Sequence, residues 1–158
     1  MHTVNLSVRA ATSSDIPRLT ELWQDKMTLQ QQYDQRLRLM SDAGIQWSAA
    51  LGEWLTDAAY AVFVIERDVQ ILGYVIGKVE PTTPGVLPER VGMVTDIAFD
   101  AHSTQGGLGR TLLQPLREWF AAQGVEQIVA QVPRRSAVEQ AFWRALGATE
   151  WMNVMWLK

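Results

Sequence analysis

Cysteine is absent from the 158-residue sequence, and histidine occurs only twice, as His2 and His102. The lack of cysteine excludes disulfide bonds, thiolate metal sites and cysteine nucleophiles. Two histidines are too few for a site built from three imidazoles, so no metal is expected. A chain without thiols fits a reducing compartment, and a cytoplasmic location is the corresponding expectation.

The sequence also lacks a strong excess of one charge and a long apolar run. Its net charge is −3, which gives no general attraction to nucleic acid or to an anionic membrane. The longest apolar run, Ala58 to Ile65, is too short to span a bilayer, and the N-terminus does not resemble a signal peptide. Length and an ordinary globular composition predict one domain over residues 1–158.

The spacing of apolar residues predicts the order β-α-α-β-β-β-α-β-α-β. Strands are predicted at 5–10, at two segments within 60–80 joined by a turn near 67–70, at 91–99, at 125–132 and at 153–158. Helices are predicted after the capping residues of 12–15, around 47–58, around 108–123 with a disturbance at Pro115, and from Ser136 to the stop at Gly147. The expected fold class is therefore α/β (α+β).

Three glycines, Gly106, Gly107 and Gly109, lie in the segment STQGGLGR between a predicted strand and a predicted helix. Amides at a helix N-terminus lack intrahelical acceptors and stabilise anions, and glycine lets a phosphate approach the backbone. A tight turn without a ligand is the simpler interpretation of such a segment. The spacing excludes a P-loop and gives poor support to a dinucleotide-binding fold.

The segment DIAFDAHSTQGGLGRTLL resembles the cofactor-binding motif of the GNAT acetyltransferase superfamily. The family pattern Arg/Gln-x-x-Gly-x-Gly/Ala falls on Thr104-Gln105-Gly106-Gly107-Leu108-Gly109, with Thr104 in the first position. The opening VRAATSSDIPRLTELW and the closing AFWRALGA are also similar to the family, so the resemblance covers the chain. It implies a mixed, largely antiparallel central sheet flanked by helices.

The resemblance implies acetyl-CoA as co-substrate, bound where two parallel neighbouring strands separate. Its pyrophosphate would lie on the amides of Gln105 to Arg110, with Gly106, Gly107, Leu108 and Gly109 between them. Its pantetheine arm would pair with the strand at Ile97, Ala98 and Phe99. An amine would then attack the thioester directly, and a chain without cysteine is compatible with that route.

Asp96 is the candidate general base, because it is the only acid inside the strand GMVTDIAF and family members often carry a carboxylate there. The alternative is an acid on the solvent face of that strand. In the closing helix, Trp143 takes the place of the family's tyrosine and Ser136 that of its asparagine. Indole has no proton to give near neutral pH, so Trp143 would shape the cofactor wall while Ser136 keeps one hydrogen bond. Tyr74 and Tyr60 are candidate replacement acids, although packing in or beside a sheet explains each of them better.

The acceptor amine, a small molecule or a peptide, is not specified by the sequence. The expected pocket region carries tryptophans and acids that could hold a cationic amine, although core packing and a solvated face explain the same residues: Trp23, Trp47 and Trp54, with Asp25, Asp34, Asp42, Glu53 and Asp57. An N-acetyltransferase is the main hypothesis. A catalytically weak acyl-CoA-binding or regulatory domain and a structural dimerisation domain are the alternatives, and a homodimer paired through the C-terminal strand is a further expectation from the family.

Overall fold

The computed structural model describes residues 5–103 and 106–158, so Thr104 and Gln105 lie outside the described residues. A single 3-10 turn at Ser13–Asp15 leads into the first helix. The strands and helices, in chain order, are β1 Leu6–Ala10, α1 Ile16–Tyr33, α2 Ala43–Trp54, β2 Tyr60–Arg67, β3 Gln70–Pro81, β4 Arg90–Phe99, α3 Leu108–Ala122, β5 Ile128–Ala130 and α4 Ala137–Ala145.

The five strands form one sheet in the order β1-β2-β3-β4-β5. The first three pairings are antiparallel, and β4 pairs with β5 in parallel. A bulge interrupts the β3–β4 pairing, because Ile76 faces Asp96 and Gly77 faces Val94, which leaves Thr95 without an opposite residue. The predicted fold class, a largely antiparallel mixed sheet flanked by helices, is confirmed.

Helices cover both faces of the sheet, and each face has its own apolar cluster. One cluster joins α3 and α4 to the sheet through residues such as Leu112, Phe120 and Trp143. The other joins α1 and α2 to the opposite face through Leu19, Leu51 and neighbouring residues. The helix α3 continues through Pro115. In the ranges 5–103 and 106–158, no helix has the length and apolarity that crossing a bilayer requires.

Two of the predicted elements, the second helix and the strand at 125–132, are longer than those in the structure. The second helix ends at Trp54 rather than near Ala58, because the Asp57 carboxylate accepts the Ala59 N–H at 2.8 Å and forms a turn before β2. The strand predicted at 125–132 is reduced to Ile128–Ala130.

The strand predicted at 153–158 is wrong, because that segment has no secondary structure and its residues are exposed. Its apolar side chains lie in solvent, with Val154 at 98% and Leu157 at 95% of their full exposure. Alternating apolar residues predict a strand only where a neighbouring strand is available to pair. Among the described residues, no strand of this chain pairs with the segment.

The predicted turn between β2 and β3 is confirmed, and it places two residues in the left-handed region. Asp68 has φ 48° and Val69 has φ 67°. A two-residue hairpin turn matches the twist of its strands when both central residues have positive φ. Aspartate tolerates that conformation, whereas a β-branched valine is strained in it.

Replacing Val69 with asparagine should therefore raise the free energy of unfolding by about 1 kcal/mol, since asparagine relieves left-handed strain. Val69 is 92% exposed, so the change removes little packing. Urea unfolding at constant m-value measures the effect, and Val86→Asn, at a loop valine that is 49% exposed, is the matched control. Equal stability of the Val69→Asn variant and the parent would contradict the strain.

Candidate functional site

A gap opens between β4 and β5 because their pairing is short. The two strands pair only along Gly92–Val94, and the last contact is the Gln131 N–H to the Val94 carbonyl at 3.3 Å. From Asp96 to Phe99, β4 pairs on its β3 side alone among the described residues. The Asp100 N–H donates to the Leu72 carbonyl, so Asp100 faces β3 with its peptide groups. In an antiparallel ladder every second residue does so, and Ile97, three residues earlier, therefore directs its N–H and carbonyl away from β3, into the gap.

The side chain of Lys26, on α1, ends at this edge of β4. Its Nζ donates to Asp96 Oδ1 at 2.8 Å and to the Ile97 carbonyl at 2.7 Å, and it lies 3.2 Å from Glu139 Oε1 on α4. We call Lys26, Asp96, Glu139 and the Ile97 carbonyl the ammonium cluster. On the other side of Asp96, the Tyr74 hydroxyl donates to Oδ2 at 2.7 Å.

The ammonium cluster is mostly withdrawn from water. The Lys26 and Glu139 side chains are each 17% exposed, and that of Asp96 is 12% exposed. Burial lowers the pKa of Lys26, but attraction to Asp96 and Glu139 outweighs it, so the pKa of Lys26 lies above its ordinary value. Lys26 is therefore charged at neutral pH.

Tyr74 is fully buried, and burial followed by the charge of Asp96 raises its pKa well above the ordinary value. A phenol with a raised pKa does not release its proton near neutral pH. Tyr74 thus packs in the sheet, as the packing interpretation expected, and its hydroxyl donates to Asp96.

The structure places Asp96 inside the fold, not on a solvent face, and gives it partners that sequence reasoning missed. The sequence contains one signal for Lys26. It lies on the same face of α1 as the buried Leu19 and Leu22, where a charged side chain requires a partner. Glu139 lies four residues before the buried Trp143 and so shares its face of α4.

The three glycines of the turn occupy positions that need glycine to different degrees and for different structural reasons. Gly107 precedes α3 with φ 83°, a conformation that favours glycine, and a Cβ there would meet no atom within 4 Å. A Cβ on Gly106 would also meet nothing within 4 Å. Gly109 is instead buried under α4, since a Cβ would lie 2.3 Å from the Phe142 ring. The turn therefore leaves open space above Gly106 and Gly107, and Gly109 serves helix packing.

The neighbouring candidates are largely engaged within the protein. Arg110 is exposed and donates to the Ala145 carbonyl at 3.1 Å, at the end of α4. Ser136 is confirmed as the cap of α4, with its Oγ accepting the Glu139 N–H at 3.3 Å. Trp143 is 8% exposed and belongs to the apolar cluster beneath α3, as do Ile97 and Leu108. Ala98 lies on the opposite face, against α1 and α2, and Phe99 is partly buried beside the Trp143 cluster.

The tryptophans considered for an acceptor pocket pack in the core. Trp47 is buried, stacks on Trp23 with ring centroids 5.2 Å apart, and meets the edge of Trp54. Among the acids of that region, Asp34 binds Arg36 and the others are exposed: Asp25, Asp42, Glu53 and Asp57. In the described part of the chain, no group of three or more His, Asp or Glu side chains is placed to hold a metal ion.

Solved structures share this architecture at low sequence identity. A variant of the BH1408 protein from Bacillus halodurans is 17% identical, with 96% of this chain and 98% of that one covered and a TM-score of 0.86. The aminoglycoside N-acetyltransferase AAC(6')-Iy in complex with CoA is 17% identical, with 99% and 96% covered and a TM-score of 0.72. A predicted acetyltransferase from Clostridium acetobutylicum with acetyl-CoA is 15% identical, with 98% and 96% covered and a TM-score of 0.75.

Comparison with curated protein sequences gives no significant match. The sequence profile of the acetyltransferase (GNAT) family matches residues 16–148. Since that match spans most of the 158 residues, the chain belongs to the acetyltransferase (GNAT) family.

Proposed function

We propose that this acetyltransferase moves the acetyl group of acetyl-CoA directly to a primary amine of a small molecule or a peptide. The observation that carries the proposal is the unpaired edge of β4 at Ile97, with the Asp96 carboxylate beside it and an open glycine turn after the strand. An extended pantetheine arm could pair with that edge as a neighbouring strand would.

The residues around the gap fit the co-substrate. The N-terminus of α3 presents amides at Gly107 and the residues that follow, and open space above Gly106 and Gly107 leaves room for a pyrophosphate. We propose that Thr104 and Gln105 extend this anion site, with Leu108, Gly109 and Arg110 contributing backbone amides. Ser136 and Trp143 would border the pantetheine arm from α4.

Replacing Gly107 with alanine should weaken CoA binding, because a side chain at φ 83° forces the turn to shift. We expect roughly a tenfold rise in Kd, equal to about 1.4 kcal/mol, as measured by calorimetry. Gly147 is the matched control, since it also lies next to a helix end, has positive φ, 91°, and has open space around it. Gly147→Ala should lose similar stability and keep CoA affinity. Equal CoA affinity in both variants would contradict the assignment of the turn.

The reaction needs a proton acceptor, stabilisation of the thioester oxygen and a leaving thiolate. Asp96 is our candidate acceptor, acting directly or through water. A peptide N–H of the β4 edge, with that of Ile97 facing the gap, could stabilise the developing oxyanion. The reference pKa of a free thiol is about 8.5, so the thiolate can leave without a dedicated acid, at some cost in rate.

One observation favours the alternative of an acyl-CoA-binding domain with weak catalysis. Both oxygens of Asp96 already accept hydrogen bonds, one from Lys26 and one from Tyr74. Each of these contacts occupies a lone pair of the carboxylate that would otherwise be available to an acceptor amine. Thiol release from acetyl-CoA across a panel of primary amines separates the two functions, because a binding domain would give none above background.

Replacing Asp96 with asparagine should lower turnover by ~10²–10⁴-fold, the effect typical of a lost general base. Acetyl-CoA binding should survive, because the β4 edge and the glycine turn stay intact. Glu66→Gln is the matched control, since Glu66 is also a paired and mostly buried carboxylate, on β2 beside Arg9. Undiminished turnover at neutral pH in the Asp96→Asn enzyme would show that Asp96 is not the base.

We further propose a homodimer that uses the C-terminal segment, residues 150–158. Trp151 is 67% exposed and Trp156 is 66% exposed, and contiguous exposed apolar residues mark interaction surfaces. The outer edge of β5, which has no partner among the described residues, is a strand edge that such a segment could extend.

Deleting residues 150–158 should convert a dimer to a folded monomer, because the segment contributes no strand to its own sheet. Light scattering after size exclusion measures the mass of both proteins, and circular dichroism checks the fold. Trp156→Lys is the milder variant and should weaken the dimer in the same direction. A full-length chain that is monomeric at high concentration would exclude this arrangement.

A further inference from the structure

The ammonium of Lys26 has a complete set of acceptors. An ammonium carries three N–H donors. Asp96 Oδ1, the Ile97 carbonyl and Glu139 Oε1 supply three oxygens within 2.7–3.2 Å of Nζ. These oxygens come from two elements, β4 and α4, whereas the ammonium comes from α1. The oxygens therefore form a preformed shell for a primary ammonium, and Lys26 reaches it from outside.

The charges of the shell also require a cation. Two carboxylates face one lysine, and the described residues place no other cation within ion-pair distance of Asp96 or Glu139. Withdrawing the ammonium would leave two mostly buried carboxylates without a counter-charge, which is costly. Exchanging one ammonium for another keeps the charge balance unchanged.

The location of the shell connects it to the reaction. The Ile97 carbonyl that binds Nζ lies on the β4 edge, where the proposed function, on which this inference rests, places the end of the pantetheine arm. An amine in the shell would thus lie beside the thioester and in contact with the candidate base.

We infer that Lys26 is a resident occupant of the acceptor subsite, and that the primary ammonium of the acceptor replaces it on Asp96, Glu139 and the Ile97 carbonyl. The Lys26 stem is flexible and its side chain keeps partial exposure, so the head group can move toward solvent. The exchange brings the acceptor ammonium onto Asp96 Oδ1 in place of Lys26, so that the candidate base contacts the amine that it deprotonates.

The proton balance is then complete. The bound ammonium gives one proton to Asp96 Oδ1 and becomes a neutral amine. Its lone pair forms the N–C bond to the thioester carbonyl, and the C–S bond breaks with its electron pair on sulfur. The second amine proton neutralises the thiolate, so that amide, CoA thiol and one proton on Asp96 remain, and that proton passes to solvent.

The shell also sets specificity among amines. A primary ammonium satisfies all three oxygens, a secondary ammonium leaves one without a donor, and a quaternary ammonium leaves all three. Because an unsatisfied buried acceptor is costly, primary amines should be preferred over secondary ones of the same size.

Lys26→Ala tests the shell without acetyl-CoA. Propylammonium matches the removed atoms and should raise the Tm of this variant, whereas tetramethylammonium at the same concentration should not. Lys26→Met, whose side chain refills the stem, is the control and should show a smaller difference between the two salts, as should the parent. Equal Tm of the Lys26→Ala protein in the two salts would overturn the shell as a primary-ammonium site.

The kinetic arm tests the exchange itself. Without a tethered competitor, KM for a primary amine should fall by about tenfold in both Lys26 variants, since an occupied site lowers apparent affinity by its free fraction. An unchanged or raised KM with measurable turnover would overturn the exchange and leave Lys26 as a positioning residue. If neither the parent nor the variants acetylate any amine, the proposed function fails, while the Tm comparison still decides the shell. If Lys26→Ala does not fold in either salt, the KM for the primary amine is measured with Lys26→Met.

Discussion

One ammonium group joins α1, β4 and α4 at the point where the pairing between β4 and β5 ends. Lys26 Nζ connects α1 to β4 through Asp96 and Ile97, and to α4 through Glu139. A surface ion pair contributes about 0–1 kcal/mol, whereas removing one partner of a buried pair costs about 3–5 kcal/mol. With side chains only 12–17% exposed, the cluster is closer to the second case. The cluster ties α4 to β4 through Glu139, in addition to the apolar packing of Trp143 and the contact of Phe142 on Gly109.

The gap follows from a short strand. Because β5 has three residues, β4 continues for five residues, from Thr95 to Phe99, without a partner strand on that side in the ranges 5–103 and 106–158. Buried peptide groups need hydrogen-bond partners, and here a lysine supplies one for the Ile97 carbonyl. An edge whose backbone is held by a movable side chain can accept a ligand without breaking a sheet. The same feature therefore stabilises the edge without a ligand and leaves it free for the co-substrate that we propose.

The glycine turn shows why one motif can contain several constraints. Gly107 is required by its left-handed backbone conformation, whereas Gly109 is required because the Phe142 ring packs directly against α3 there. Of the three glycines in the turn, Gly106 and Gly107 have open space where a phosphate could approach, and Gly109 does not. A substitution at Gly109 would consequently report on packing, and conclusions about phosphate binding belong to Gly107.

The sequence by itself determined the order of strands and helices from β1 to α4, the glycine turn before α3, the cap at Ser136 and the identity of Asp96 as the acid of β4. These depend on local rules, namely the period of apolar residues, capping and turn chemistry. Tertiary structure decided the rest. It left the C-terminal segment outside the sheet, since no strand within the described residues pairs with it, and it put Trp23 and Trp47 in the core. It also brought Lys26, Asp96 and Glu139 together across separations of 70 and 43 residues along the chain, which no local pattern encodes. Their meeting depends on how α1 and α4 pack around a gap whose length the short β5 sets.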